Sequence, residues 1–146
     1  MSDHSGDVGE MPAAAAYELL RADPAAVLVD VRTAAEWSFV GVPDLSGIGK
    51  QVIFSEWQSY PLSQPVAGFA DSLRAQLAAK ATPPDAPLLF LCRSGVRSLA
   101  AARALAALGY SRCVNVAGGF EGPCDASRQR GRLDGWKARE LPWVQS

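Results

Sequence analysis

The chain has 146 residues, of which 49% are hydrophobic and 20% are charged, and its formal net charge is −1. A chain of this length forms one domain with a core large enough to need no disulfide or structural metal. The near-neutral charge argues against nucleic acid as a partner, because phosphate binding requires clustered Lys and Arg. The single histidine, His4, argues against a Cys–His or Ser–His catalytic pair and against a histidine-based metal site. We therefore expect a domain that works without a metal or a cofactor.

The beginning of the chain is acidic and polar. Its composition predicts a disordered leader over residues 1–10, followed by a single domain over residues 11–146. The leader lacks the basic and apolar segments of a signal peptide, and no apolar run approaches the ~20 residues of a membrane helix. An odd number of cysteines, Cys92, Cys113 and Cys124, argues against a disulfide framework. We therefore expect a cytoplasmic protein that does not bind membranes.

Predicted helices and strands alternate after the leader. A first helix is predicted from Pro12, which suits a first helical turn, to Leu20, before Pro24. Short runs rich in branched residues predict buried strands at 26–31, 51–54, 87–92 and 113–116.

Two later segments place apolar residues along one helical face. These stripes consist of Val66, Phe69, Leu73 and Leu77, and of Leu99, Ala102, Leu105 and Leu108. The alternation of strands and helices predicts an α/β fold, with a parallel central sheet flanked by helices on both faces. Such sheets bind ligands at the carboxyl ends of their strands, so the residues that follow each strand are candidates for a site.

The turn after the third predicted strand carries the most informative motif, CRSGVRS at residues 92–98. Gly95 permits a tight bend, and a turn that leads into a helix directs backbone N–H groups and the positive helix end toward an anion. Such surroundings favour the thiolate of Cys92 without a histidine. Arg93 and Arg97 add two guanidinium groups that bind anions. A lone cysteine at a strand end is usually a small buried hydrophobe, but these residues together in one turn favour an active site.

Three motifs resemble those of the rhodanese-like (thiosulfate sulfurtransferase) family: CRSGVRS, DVRTAAEW at residues 30–37, and NVAGG at residues 115–119. With the order of the elements, the resemblance covers most of residues 11–143. It implies a parallel sheet flanked by helices and a catalytic cysteine that carries a persulfide, which is Cys92 by position. The resemblance further implies a substrate-binding loop and its support, namely Arg93, Ser94, Gly95, Val96, Arg97 and Ser98 in the loop and Asp30 and Arg32 as support.

The length of the loop distinguishes this family from related cysteine enzymes. Four residues lie between Cys92 and Arg97, whereas five separate Cys from Arg in the phosphatase signature. One residue fewer removes an amide and up to ~3.5 Å of chain from the ring, so the cradle suits one sulfur atom better than a tetrahedral oxyanion. A small Cys-dependent phosphatase or arsenate reductase of the same fold stays an alternative, as does a non-catalytic rhodanese-like module that binds a partner.

The expected reaction is a double displacement. The Cys92 thiolate attacks the outer sulfur of a small donor such as thiosulfate or a persulfide, and the enzyme persulfide then passes its sulfur to cyanide, a thiol or a protein acceptor. Loop amides and Arg97 are expected to stabilise negative charge in both steps. Neither nucleic acid nor a membrane is expected as a partner.

Several other side chains are assigned roles by their position. Asp30, Arg32 and Glu36 are expected to form a local ion pair and loop brace, or Arg32 simply pairs with Glu36 at a helix start. The family resemblance implies that Asp30 braces the active loop. Cys113 opens an apolar strand and is expected to be inert core. Cys124, in a polar loop, is either simply exposed or able to form a disulfide with the active cysteine.

Overall fold

A computed structural model describes residues 8–59, 64–65, 68–122, 126–127, 129–130 and 134–145. The strands are β1 (Gly9–Pro12), β2 (Val27–Asp30), β3 (Val42–Pro43), β4 (Ile53–Phe54), β5 (Gln58–Ser59), β6 (Gln64–Pro65), β7 (Leu88–Leu91), β8 (Cys113–Ala117) and β9 (Trp143–Val144). The α-helices are α1 (Ala13–Ala22), α2 (Ala34–Val40), α3 (Phe69–Ala79) and α4 (Val96–Ala106), and a 3-10 turn spans Ser46–Ile48.

The central sheet has the strand order β1-β8-β7-β2-β4, and every neighbouring pair is parallel. Two small antiparallel pairs, β3 with β9 and β5 with β6, lie outside it. The strands β2, β4, β7 and β8 are those expected from the branched runs. The α/β fold with a parallel central sheet is therefore confirmed.

The side chains of β7 alternate between the two faces of the sheet. Leu88 and Phe90 pack in one buried cluster with α3 and α4, which contribute Leu73 and Leu105 among others. Each fully buried side chain of this size stabilises the fold by about 1.5–3 kcal/mol relative to exposure. Val66, which the sequence placed on the stripe of α3, lies outside the described residues.

The opposite face of β7 packs against α1 and the C-terminal segment. Leu89 and Leu91 belong to a second buried cluster that includes Leu20 of α1 and Trp136 near the C-terminus. The two clusters show that the sheet is covered on both faces, as the sequence predicted. Within the described ranges, no helix has the length and apolar character needed to cross a bilayer.

The boundary of the predicted leader is wrong at its end. Gly9 and Glu10 belong to β1, which pairs in parallel with β8 at the edge of the sheet. Strand pairing uses backbone N–H and C=O groups, which a polar sequence supplies as well as an apolar one. Pro12 has no N–H to donate, which an edge strand tolerates. Because Pro12 is extended and pairs with Ala117 of β8, α1 begins one residue later than predicted, at Ala13. Residues 1–7, including His4, lie outside the described residues.

Candidate active site

The parallel register brings the ends of three strands to one edge of the sheet. Asp30 of β2 lies opposite Leu91 of β7, and Phe90 lies opposite Asn115 of β8. Cys92 follows β7 directly, so its neighbours across the sheet are the last residues of β2 and β8. This is the carboxyl edge, where parallel sheets bind ligands.

The sulfur of Cys92 lies at the base of the turn between β7 and α4. Cys92 is only 1% exposed, and its Sγ accepts a hydrogen bond from the backbone N–H of Gly95 at 3.0 Å. The hydroxyl oxygen of buried Ser98 is 3.2 Å from the same sulfur. Both groups are placed to stabilise negative charge on Sγ.

Gly95 gives the turn its shape. Its φ of +116° is in the left-handed region that disfavours other residues, and α4 begins at the next residue, Val96. The first N–H groups of a helix have no acceptor within the helix, and they carry its positive dipole end. The amides of Val96 and Arg97 therefore add to the positive potential near Cys92.

The remaining loop side chains differ in exposure. Arg93 and Val96 are exposed, with Val96 at 78%, and Ser94 is partly buried. The loop therefore presents one cation, one apolar side chain and one hydroxyl toward solvent, while Cys92 and Ser98 lie beneath it.

Arg97, which is expected to stabilise negative charge on the substrate, forms an ion pair with a carboxylate. Its Nη1 and Nη2 donate to Oε1 and Oε2 of Glu36 on α2 at 2.6 and 2.9 Å. The hydrogen bond to Glu36 raises the pKa of Arg97 against the opposing effect of burial, and the charges of Glu36 and Cys92 also raise it. The pairing expected between Arg32 and Glu36 is therefore wrong, because Glu36 binds Arg97 instead.

Asp30 and Arg32 form a fully buried ion pair with each other. Arg32 Nε and Nη2 donate to the Asp30 carboxylate at 2.9 and 2.7 Å, and Nη2 also donates to the carbonyl of Gly41 at 2.8 Å. The Arg32 guanidinium carbon lies 4.2 Å from the centre of the Phe120 ring. The N–H of Phe120 donates to the Cys92 carbonyl at 2.8 Å. Asp30 and Arg32 therefore reach the active loop through Phe120.

The turn after β8 supports the active loop from below. The N–H groups of Glu121 and Gly122 both donate to the carbonyl of Arg93, at 3.0 and 3.1 Å. Gly119 approaches so closely that a Cβ there would lie 2.5 Å from the carbonyl oxygen of Cys92. The backbone that holds the first two residues of the loop thus begins at the end of the NVAGG motif and continues through the residues that follow it.

Asn115 of β8 connects the loop to the edge strand. Its Nδ2 donates to the Gly95 carbonyl at 3.0 Å and to the Glu10 carboxylate at 3.1 Å, and its Oδ1 accepts from Ser98. Sequence reasoning included Asn115 only as part of a motif and missed Glu10, which it placed in the leader. No pattern along the chain signals a contact between residues this far apart.

The other two cysteines differ in what the structure says of them. Cys113 is 2% exposed, and burial raises the pKa of its thiol to about 12, which makes it the inert core residue that was expected. Cys124 lies outside the described residues, so its suggested disulfide stays a prediction. No group of three or more His, Cys, Asp or Glu side chains suited to a metal occurs in the described part of the chain.

A model of the family described as "Rhodanese-like domain" matches residues 13–126. The chain belongs to this family. This rhodanese-like domain is 40% identical over 128 residues to an uncharacterized protein of Rickettsia conorii, an alignment that covers 88% of this chain and 90% of that protein. It is 26% identical over 130 residues to the chloroplastic rhodanese-like domain-containing protein 4 of Arabidopsis thaliana, covering 89% of this chain and 24% of that protein.

Solved structures share the fold of this rhodanese-like domain. The crystal structure of Rv0390 from M. tuberculosis is 43% identical and superposes with a TM-score of 0.84, covering 95% of this chain and 98% of that one. The solution structure of a polysulfide-sulfur transferase homodimer from Wolinella succinogenes is 21% identical, with a TM-score of 0.59 over 97% of this chain and 82% of that one. The second likeness is a likeness of fold alone.

Proposed function

We propose that this rhodanese-like domain is a sulfurtransferase that carries a sulfane sulfur on Cys92. The observation that supports this most is the setting of Cys92 Sγ, which lies under a short loop within hydrogen-bond distance of the Gly95 N–H and the Ser98 hydroxyl. A sulfur that alternates between thiolate and persulfide needs donors at the thiolate and room for one further sulfur atom above it. We place the reaction in a reducing cytoplasm, the compartment suited to the unpaired thiols of Cys92 and Cys113.

The reaction has two displacements at sulfur. The Cys92 thiolate attacks the outer sulfur of a donor such as thiosulfate, the donor's S–S bond breaks, and sulfite leaves with the electron pair. A thiol, cyanide or protein acceptor then attacks the outer sulfur of the persulfide, and the electron pair of that S–S bond returns to Cys92. The Gly95 N–H and the Ser98 hydroxyl stabilise the thiolate as the attacking group in the first step and as the leaving group in the second.

The pairing of Arg97 with Glu36 changes how an anionic donor binds. Two nitrogens of the Arg97 guanidinium donate to the Glu36 carboxylate. Arg97 therefore contributes its positive charge and its backbone N–H rather than two free guanidinium N–H groups. The exposed Arg93 and the N–H groups at the start of α4 are available to bind the anion. We therefore assign the first contact with the donor to Arg93.

The carboxylates near the site argue against a phosphatase. Cysteine-based phosphoryl transfer needs a general acid for the leaving group, and two of the carboxylates near the site, Asp30 and Glu36, are held in ion pairs with arginines. With the short loop, this pairing leaves sulfur transfer as the better-supported reaction. A binding module without catalysis would have no need of the donors aimed at Cys92.

Mass spectrometry of the intact chain after incubation with thiosulfate tests this function. We expect a mass increase of one sulfur atom on Cys92 in the wild type and in Cys113→Ser, which removes a buried thiol that takes no part. Cys92→Ser is expected to form no adduct and to lose transfer to cyanide. Hydrolysis of a phosphate ester without a sulfur adduct would favour the phosphatase. If the chain neither forms the adduct nor hydrolyses the ester, the binding module is favoured.

A further inference from the structure

The hydroxyl of Ser98 lies between two acceptors. Its Oγ is 3.2 Å from Cys92 Sγ and forms a short hydrogen bond with Asn115 Oδ1. Ser98 and Asn115 are both buried, with exposed fractions of 0% and 2%. A serine hydroxyl carries one proton, so it donates to only one of these two atoms at a time.

The orientation of Asn115 is fixed by its amide nitrogen. Nδ2 donates to the carbonyl oxygen of Gly95 and to Oε2 of Glu10, at 3.0 and 3.1 Å. Both partners accept hydrogen bonds and donate none, so the NH₂ group faces them and Oδ1 faces Ser98. Glu10 is within reach because it lies opposite Asn115 in the register of β1 with β8.

We propose that Asn115, held by Glu10, is a positioning residue that controls which atom receives the proton of Ser98. While Cys92 is a thiol or carries a persulfide, Sγ bears no full charge and the hydroxyl donates to Asn115 Oδ1. When the S–S bond of the persulfide breaks, the electron pair stays on Sγ and the hydroxyl turns to donate to the thiolate. This inference deepens the sulfurtransferase function and rests on it.

The competition for one proton gives Ser98 and Asn115 opposite effects. Ser98 stabilises the thiolate by donating to it, whereas Asn115 opposes the thiolate by offering the proton another acceptor. Two residues that merely held the loop together would both disturb Cys92 in the same direction when replaced. The sign of each effect therefore separates proton control from structural support.

Other charged side chains around Cys92 also influence how stable its thiolate is, so they must be the same in every variant that is compared. They are Glu10 on β1, Asp30 at the end of β2, Arg32 after it, Glu36 on α2, Arg93 in the loop and Arg97 on α4. Neutral replacements of Ser98 and Asn115 leave all of them in place.

The test is the pH dependence of alkylation of Cys92 by iodoacetamide, followed by mass spectrometry of the peptide that contains it. Ser98→Ala removes the donor and is expected to slow alkylation about tenfold below the pH midpoint, which moves the midpoint up by about one pH unit. Asn115→Leu keeps the shape of the side chain and is expected to speed alkylation roughly threefold. In the Ser98→Ala background, Asn115→Leu is expected to change nothing, because the contested proton is gone.

Two outcomes would overturn the proposal. In the first, Ser98→Ala and Asn115→Leu move the pH midpoint of Cys92 alkylation in the same direction. In the second, Asn115→Leu still moves that midpoint in the Ser98→Ala background. If circular dichroism shows that Asn115→Leu does not fold, Glu10→Ala and Glu10→Gln replace it, since Glu10 is exposed. Both remove the charge, but Gln keeps an acceptor for Nδ2. Faster alkylation in Glu10→Ala than in Glu10→Gln supports the proposal, and equal rates contradict it.

Alkylation does not require sulfur transfer, so the two proposals fail separately. A wild-type chain that forms no persulfide overturns the sulfurtransferase function, whatever the alkylation shows. If the chain forms the persulfide but the Ser98 and Asn115 variants move the alkylation midpoint in the same direction, only the role of Asn115 is overturned.

Discussion

Glu36 and Arg97 form a partly buried ion pair that joins α2 to α4. Both side chains are 19% exposed. Burial raises the pKa of Glu36, but the hydrogen bonds from Arg97 and Thr33 outweigh it and hold that pKa below its usual value. The stability that this pair contributes therefore depends on pH.

We expect Glu36→Gln to lower the free energy of unfolding at neutral pH by about 1–2 kcal/mol, because a charge-assisted pair is lost. The pKa of Glu36 in the folded state lies below its ordinary value of 4.5. The stabilisation is therefore fully present above that pH and is lost as the pH falls through the folded-state pKa. Urea unfolding measured from neutral pH to about pH 3 should show the wild type and the variant converging.

Glu18→Gln is the matched control. Glu18 also pairs with an arginine, Arg21, at 2.6 Å, but both side chains are 61% exposed. Solvent screens such a pair, so no measurable change is expected. Equal losses at Glu18 and Glu36, or a Glu36 difference that is the same at every pH, would contradict the argument.

For individual residues, the sequence predicts the contacts that form within one short motif. Cys92, Gly95 and Ser98 are neighbours in the chain, so their proximity follows from the turn alone. Glu36 and Arg97 are 61 residues apart, and the nearer Arg32 offered a more obvious partner for Glu36. Arg32 lies buried at the end of a central strand instead, where its charge requires the adjacent carboxylate of Asp30.

The backbone of the turn after β8 lies close against the backbone of the active loop. Gly119 has a φ of +62°, and its missing side chain would meet the backbone of Cys92 and Arg93 at 2.5 and 2.6 Å. A side chain there must displace backbone rather than a flexible side-chain end. The position of the reactive cysteine therefore depends on a glycine in another strand's turn.

We expect Gly119→Ala to destabilise the fold by about 2–4 kcal/mol, because left-handed strain and overpacking add. It should also reduce persulfide formation, since the carbonyl that must move belongs to Cys92. Gly109→Ala is the control: its φ is +103°, but nothing lies within 4 Å of the added Cβ. It should cost about 1 kcal/mol and leave persulfide formation unchanged. Thermal unfolding and mass spectrometry measure both, and equal loss of the persulfide in the two variants would count against this account.

At the scale of elements, the sequence predicts those with an apolar pattern. The central strands and α3 and α4 carry buried side chains at regular spacing, so their positions follow from the residues. Helix α2 has no buried residue and is started by a capping box of Thr33 and Glu36, so no apolar stripe reveals it. The strand β1 has four residues, none of them branched or fully buried, and it is recognised as a strand only by its pairing with β8.

On the scale of the whole molecule, the C-terminal segment closes one face of the sheet. Residues 134–145 lie beyond the part matched by the family model, which ends at residue 126. Trp136 is fully buried; its Nε1 donates to the Pro142 carbonyl at 2.7 Å, and its ring meets that of Tyr17 edge to face. The N–H of Trp136 donates to the carbonyl of Gly119 at 2.8 Å. The segment therefore packs against the same turn that supports the active loop.

We expect Trp136→Ala to lower the free energy of unfolding by about 3–5 kcal/mol, because it leaves a large cavity in the second core cluster. Trp143→Ala is the comparison, since Trp143 is 37% exposed and contacts Phe120 and Lys137 near the surface. Its cost should be about 1 kcal/mol. Urea unfolding measures both, and similar losses would mean that the segment does not close the core as described.

The buried thiol of Cys113 can be used to measure how often the core of the domain opens. Its thiol lies in β8, between β1 and β7, and is protonated at neutral pH because its pKa is about 12. It is buried in the core cluster that α3 and α4 form on one face of the sheet, so a thiol reagent reaches it only in molecules in which that packing has opened. The labelling rate at Cys113 measures the population of opened molecules, while the rate at Cys92 in the same sample measures the state of the active loop. One labelling experiment thus distinguishes a variant that has lost its fold from one that has lost only its chemistry.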